Sequence, residues 1–243
     1  MIKHEANDWY QAWVVINKLF VDDPDSTVDE RHSTRAFSYD NEIIIKNNDL
    51  NGLDLSIVGY TPYKTSLFRY NYINDHEIEW VKEMITERHI ENRKTYTLVT
   101  YMFEQKRANH SMGSCVINIL ISVKQRGNKI DIDFEPNMRI GESCKRLLVD
   151  FIFCQEIIQE VLNLFGSEYD VDYNIKYRSK ALYCQPLYVV ILEPILGFHF
   201  GKDHWLHRAV RAQVEKFHKG ESKFKSGNRI SKYYMRLQDE KNN

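Results

Sequence analysis

The stretch Cys115-Val-Ile-Asn-Ile-Leu-Ile-Ser-Val123, followed by Lys129-Ile-Asp-Ile-Asp-Phe134 and by a long apolar run over 145–164, decides how this chain folds. The first two segments alternate apolar and polar residues, the period of a half-buried strand, and Gly127-Asn128 between them supplies turn chemistry. They predict a β-hairpin. In the third segment Leu147, Leu148, Phe151, Ile152, Ile157, Ile158, Val161 and Leu162 leave little polar circumference. That pattern predicts a buried central helix rather than a surface one. A thiol, Cys115, opens the first strand; Arg139 follows the second; Asp150 stands near the start of the helix.

Working outward, Trp9, Ala12, Trp13, Ile16 and Phe20 recur at helical spacing and predict a helix over 8–20, ended by Asp22-Asp-Pro-Asp-Ser26. Alternation predicts strands near 41–46 and 53–58, and Ile78, Val81, Met84 and Ile85 predict a helix over 76–88. Residues 59–75 read as irregular. Thr95 to Phe103 is dense in β-branched and aromatic residues and reads as a strand, as does Leu187 to Leu192. Strands and helices in this order give an α+β fold with a mixed sheet.

The chain has 243 residues, enough for a sizeable core, with 43% apolar and 28% charged residues, as in an ordinary soluble domain. The expected division is one domain over 1–200 and a basic helical extension and tail over 201–243. No apolar run reaches the roughly 20 residues of a membrane span. The N-terminal residues lack an apolar signal core, and the four cysteines form no Cys-x-x-Cys pair. A reducing, cytoplasmic setting without a membrane partner is the expectation. Residues 1–121 hold 13 basic against 18 acidic residues, and 122–243 hold 20 against 16. The positive excess gathers in 207–236, which reads either as a solvated helix face or as a surface for nucleic acid.

On Cys115, Arg139 and Asp150 the chain resembles the thymidylate synthase superfamily, which includes the pyrimidine nucleotide hydroxymethylases. In that family a nucleophilic cysteine begins a strand, and an arginine after a hairpin holds the nucleotide phosphate. An Asn or Asp eleven residues further on reads the pyrimidine edge. Arg139 and Asp150 keep that spacing. Glu30-Arg31-His32-Ser33-Thr34 resembles the family's phosphate loop and would place Arg31 on the phosphate. Asn92-Arg93-Lys94-Thr95-Tyr96 resembles its Ser-Arg-Arg segment, in which basic residues reach the partner's phosphate across a homodimer. Ser179-Lys180-Ala181-Leu182-Tyr183 sits where the family has Asp-x-His-Leu-Tyr, with Tyr183 kept for the ribose and Ala181 in place of the histidine.

What the resemblance implies is a protein that binds a pyrimidine nucleoside monophosphate, with Cys115 as nucleophile and Arg31, Arg139, Asp150, Tyr183, Arg93 and Lys94 as substrate ligands. Its enzymatic form is a transferase that methylates or hydroxymethylates C5 of a cytidine nucleotide, with 5,10-methylenetetrahydrofolate as one-carbon donor. Thiolate addition at C6 makes C5 nucleophilic, and a neighbouring arginine is one way to lower the thiol's pKa. An acid at position 150 suits cytosine, because a carboxyl can accept from the exocyclic amine and, once protonated, donate to a ring nitrogen. The family's Gly-Glu-Leu-Leu-Trp-Phe-Leu segment is not found, and Val116 stands where the family has histidine. An inactive nucleotide-binding or scaffold protein is therefore the alternative, and a nucleic-acid-binding module on the basic C-terminal region is another.

Two further groups stay open. His199, His204 and His207 with Asp203 could ligate a metal, or could be packed or surface residues. Tyr60, Tyr63, Phe68, Tyr70 and Tyr72 with Lys64 and Arg69 could stack bases, or could form core or interface.

Overall fold

A computed structural model describes residues 2–22, 36–50, 69–70, 72–103, 115–144 and 146–184, with isolated positions between 208 and 219. Two compact units divide the chain: Met1–Val15 with Tyr39–Leu182, and Ile16–Ser38 with Tyr183–Asn243. The predicted strands at 53–58 and 187–192, Arg31, the histidine group at 199–207 and most of the tyrosine-rich and basic segments lie outside the described residues.

The fold is α+β, with β1 (Ile2–Ala6), α1 (Trp9–Asp22), β2 (Ala36–Ile45), α2 (Asp75–Ile85), β3 (Tyr96–Met102), β4 (Val116–Arg126), β5 (Lys129–Glu142), α3 (Arg146–Leu162) and β6 (Asp170–Cys184). Among the described residues the strands form one six-stranded sheet in the order β1-β2-β6-β5-β4-β3. It is mixed: β1 pairs with β2 in parallel, whereas β3, β4 and β5 run antiparallel. No helix among the described residues is long and apolar enough to cross a membrane.

The β4–β5 hairpin is the centre of this arrangement, and its turn follows from one residue. Gly127 takes φ +67, and Asn128 does not share the positive φ, the signature of a two-residue type II′ turn. At the other end β4 carries a bulge: Val116 pairs with Met138 and Asn118 with Asn137, leaving Ile117 as the extra residue. The bulge changes which residues face inward, so that Val116 and Ile119 are both buried.

Helix α3 is the buried helix the apolar run predicts. Ten of its residues are buried, and it packs against β5 and α2. Phe151 meets Trp9 and Tyr177 with ring centroids 4.9 and 5.0 Å away. Burying an aromatic side chain of this size stabilises the fold by about 1.5–3 kcal/mol. The helix starts under the control of Glu142, whose Oε1 accepts the Cys144 N–H (3.1 Å) and whose Oε2 accepts the Arg146 N–H (3.3 Å). Trp13 Nε1 donates to the Ser143 and Cys144 carbonyls at 3.1 Å each, fixing the same turn. At its far end Leu164 and Phe165 bond back three residues, the tightened last turn of a helix.

Several expectations are corrected. Strand β5 runs on to Glu142, through Pro136, so Arg139 lies on the strand and not after it. The 170–184 segment, for which no strand was expected, is β6, and a short β1 precedes α1. The helix expected over 76–88 ends its α-helical part at Ile85 and continues as a π-helix over Thr86–Glu91. Within the stretch expected to be irregular, Arg69, Tyr70 and Tyr72 are helical.

Candidate functional site

The strand pairing brings the first two predicted site residues side by side. Arg139 N–H donates to the Cys115 carbonyl at 3.0 Å. Directly opposed residues of an antiparallel pair project from one face with their Cβ atoms about 5 Å apart. Helix α3 delivers the third. Asp150 is in its second turn and only 3% exposed, so it is neither a helix-terminal residue nor a solvent-facing one. Its Oδ2 is buried without a hydrogen-bond partner.

A fourth residue, which the sequence reading did not single out, completes the group. Arg146 lies close enough to Cys115 to pull its pKa down, and its charge also bears on Asp150. Its signal in the sequence is the four-residue step to Asp150, which puts both side chains on one helix face. Arg139 is exposed, Cys115 and Arg146 are half-buried and Asp150 is buried. The charged guanidinium of Arg139 is therefore nearest to solvent and the carboxyl of Asp150 farthest from it.

Burial dominates the electrostatics. It pushes the Cys115 thiol up to about 12, with the Asp150 charge adding to the rise and Arg146 and Arg139 opposing it. Neighbouring arginine pulls this thiol's pKa down as expected, but by less than burial raises it, so the net shift is upward. Two guanidiniums on a half-buried sulfur do not offset the loss of water around a thiolate. Burial likewise pushes the Asp150 carboxyl up to about 8 against the pull of Arg146, so at neutral pH it carries its proton. Behind it the Cys154 thiol and the Tyr177 hydroxyl are both raised by burial and by the Asp150 charge. Tyr177 Oη meets Met138 Sδ at 2.9 Å, which holds the phenol in place.

The other predicted residues fall elsewhere. Arg93 and Lys94 are exposed in the turn after the π-helix, where Arg93 takes φ +48 and Lys94 N–H bonds to the Arg88 carbonyl at 2.7 Å. Thr95, next to them, accepts the Gln125 N–H at 3.0 Å, at the end of β4 far from Cys115. At about 3.4 Å per residue the two ends lie roughly 30 Å apart, so Arg93 and Lys94 do not enter their own chain's site. Tyr183 is half-buried near the end of β6, in the second unit. Arg31 is outside the described residues. No group of His, Cys, Asp and Glu among the described residues is arranged to hold a metal ion.

No protein-family model matches the chain, and no curated protein matches it. Among solved structures it is similar to a thermostable thymidylate synthase A from Bacillus subtilis, at TM-score 0.43 and 8% identity over 80% of this chain and 86% of that one. It is also similar to a thymidylate synthase from T4 phage, at TM-score 0.40 and 9% identity over 79% and 82% of the two chains. At these scores the likeness adds nothing to what the chain's own residues carry.

Proposed function

We propose that this chain binds a pyrimidine nucleoside monophosphate, with cytosine preferred to uracil, at the site formed by Cys115, Arg139, Arg146 and Asp150. The observation that carries the proposal is Asp150: a buried carboxyl, protonated at neutral pH, with one oxygen unmet. A protonated carboxyl donates one hydrogen bond and accepts another, which is the complement of the cytosine N3 and exocyclic amine. The exposed guanidinium of Arg139 suits the phosphate, since its planar fork matches phosphate oxygens two at a time. In a homodimer Arg93 and Lys94 would serve the partner's site, and the exposed Tyr96, Leu98 and Met102 along β3 favour such an association.

Thermal shift with dCMP, CMP, dUMP and UMP tests the binding. The cytidine nucleotides should raise the Tm most, and Asp150→Asn should weaken dCMP binding about tenfold or more while favouring dUMP. An unchanged preference in Asp150→Asn would remove the cytosine assignment. A chain stabilised by none of the four nucleotides does not bind pyrimidine nucleotides.

The enzymatic form, C5 one-carbon transfer with Cys115 adding at C6, is favoured by the pull of Arg146 and Arg139 on the thiol's pKa and opposed by the larger rise that burial causes. The resting group is a thiol, so addition requires its proton to leave as the carbon–sulfur bond forms. The height of the thiol's pKa makes nucleotide binding without turnover the form proposed here. Tritium release from C5-labelled dCMP should stay at the level of a Cys115→Ala control, and release above it would establish the enzyme.

A further inference from the structure

Of the six residues in the π-helix Thr86–Glu91, His89 alone is buried, and it is wholly so. A π-helix is an uncommon form that often marks a functional position. Residues 91–94 after it are exposed, and Asn92 and Lys94 bond back to the Glu87 and Arg88 carbonyls. His89 ties this segment to β4. Its Nδ1 meets Gln125 Oε1 at 3.2 Å, and Gln125 Nε2 donates to the Gly127 carbonyl at 3.1 Å. With the amide so oriented, Nδ1 carries the ring's proton and Nε2 is a bare lone pair. That Nε2 is buried and has no partner.

A second proton would therefore create a buried charge and a buried donor with nothing to meet them. The charged groups on the elements around the ring do not compensate it. On α2, Lys82 is bonded to Glu79 and Glu160, and Glu83 is exposed. Glu87, Arg88, Glu91, Arg93 and Lys94 on the segment itself are exposed, as are Tyr96 on β3 and Lys124 and Arg126 on β4. Burial pulls the His89 pKa below its usual value; Arg88 adds to the fall, and the Gln125 bond and the Lys94 backbone oppose it.

We propose that His89 is a pH-sensitive latch: neutral, it fastens the 86–94 segment to β4, and protonated, it leaves the interior and loosens that segment. A histidine whose pKa is lower folded than unfolded gives its full stability above about pH 6.5. That stability is lost as pH falls from there toward the folded value. Asp150 works in the opposite direction, since its contribution grows as pH falls. Loosening at 86–94 is thus distinct from a general loss of the fold. The latch rests on the homodimer reading above only for its consequence, which is that acid withdraws Arg93 and Lys94 from the partner's site.

Hydrogen–deuterium exchange at pH 7.5 and pH 5.5, corrected for intrinsic rates and followed by peptide, tests the latch without nucleotide. In the natural chain the protection of 86–94 should fall about fivefold or more at the lower pH, while that of 146–162 holds. In His89→Gln, which cannot take the proton, protection of 86–94 should be the same at both values. Unchanged protection in the natural chain would overturn the latch, as would an equal fall in His89→Gln or a fall shared by 146–162. If His89→Gln does not fold, Gln125→Glu supplies a carboxylate to the protonated ring and should keep 86–94 protected at pH 5.5. A fall there as large as in the natural chain would also overturn it. The nucleotide reading is separable. Loosening at pH 5.5 in a chain that no nucleotide stabilises keeps the latch and removes that reading, whereas dCMP binding with pH-independent protection does the reverse.

Discussion

Two buried carboxyl groups stand on either side of the first turn of α3, and the chain treats them in opposite ways. Glu142, 4% exposed, closes β5 with both oxygens in use, one on Cys144 N–H and one on Arg146 N–H. Asp150, 3% exposed, has an oxygen with no partner at all. A fully bonded buried carboxyl is structural, because its bonds define the start of the helix. An unmet one costs about 1–3 kcal/mol unless something arrives to complete it. On the function proposed above, the difference separates a residue that shapes the start of the helix from one that a ligand would complete.

The contrast can be broken most directly at Glu142. Replacing it with alanine should destabilise the fold by about 2–4 kcal/mol in urea unfolding, since two N–H groups lose a charged acceptor at once. At about pH 4 or below, where Asp150 holds its proton in the folded and the unfolded chain alike, Asp150→Asn should leave stability within about 1 kcal/mol of the natural chain, because the unmet oxygen was already unmet. A loss at Asp150 as large as the loss at Glu142 would show that both are structural.

The pH dependence sharpens the same point. With the folded pKa of Asp150 raised to about 8 and the unfolded value near 4, the folded chain holds a proton between those limits that the unfolded chain has released. The contribution of Asp150 to stability is fully present below about pH 4. It declines as pH rises toward about 8, by up to roughly 1.4 kcal/mol per unit, and levels beyond. The natural chain should therefore lose ground to Asp150→Asn across that window in unfolding measurements, and parallel curves would refute the burial of a protonated carboxyl. The smallest expected effect is at Tyr177, behind Asp150. Tyr177→Phe removes only the contact to Met138 sulfur and should cost about 1 kcal/mol or less.

Much of the frame was legible in the sequence, for physical reasons. Helix α3 and the β4–β5 hairpin announce themselves because their apolar residues recur at the periods of the structures they form. Strand β5 looked shorter than it is because Pro136-Asn137 reads as a break, although the strand carries both. The alternation of Val171, Tyr173, Ile175 and Tyr177 was a usable signal for β6 that went unread. In the site, spacing located Cys115, Arg139 and Asp150 together but said nothing of solvent, and solvent exclusion raises the pKa values of Cys115 and Asp150. Arg146 was missed because a basic residue at the head of a helix usually needs no explanation, whereas here it meets the thiol.

The bulge at Ile117 has a consequence for kinship. Ile117 stands outside the register, which is why Val116 meets Met138 and Cys115 lies opposite Arg139. Were Ile117 drawn into the ladder opposite Met138, Val116 would take the place beside Arg139 and the thiol would turn to the other face. Outright loss of Ile117 would keep the present pairs. Distant relatives of this chain are therefore better aligned with a one-residue gap allowed at the bulge than by a fixed count from the cysteine to the arginine. A relative shorter by that one residue should be expected to have kept the two side by side.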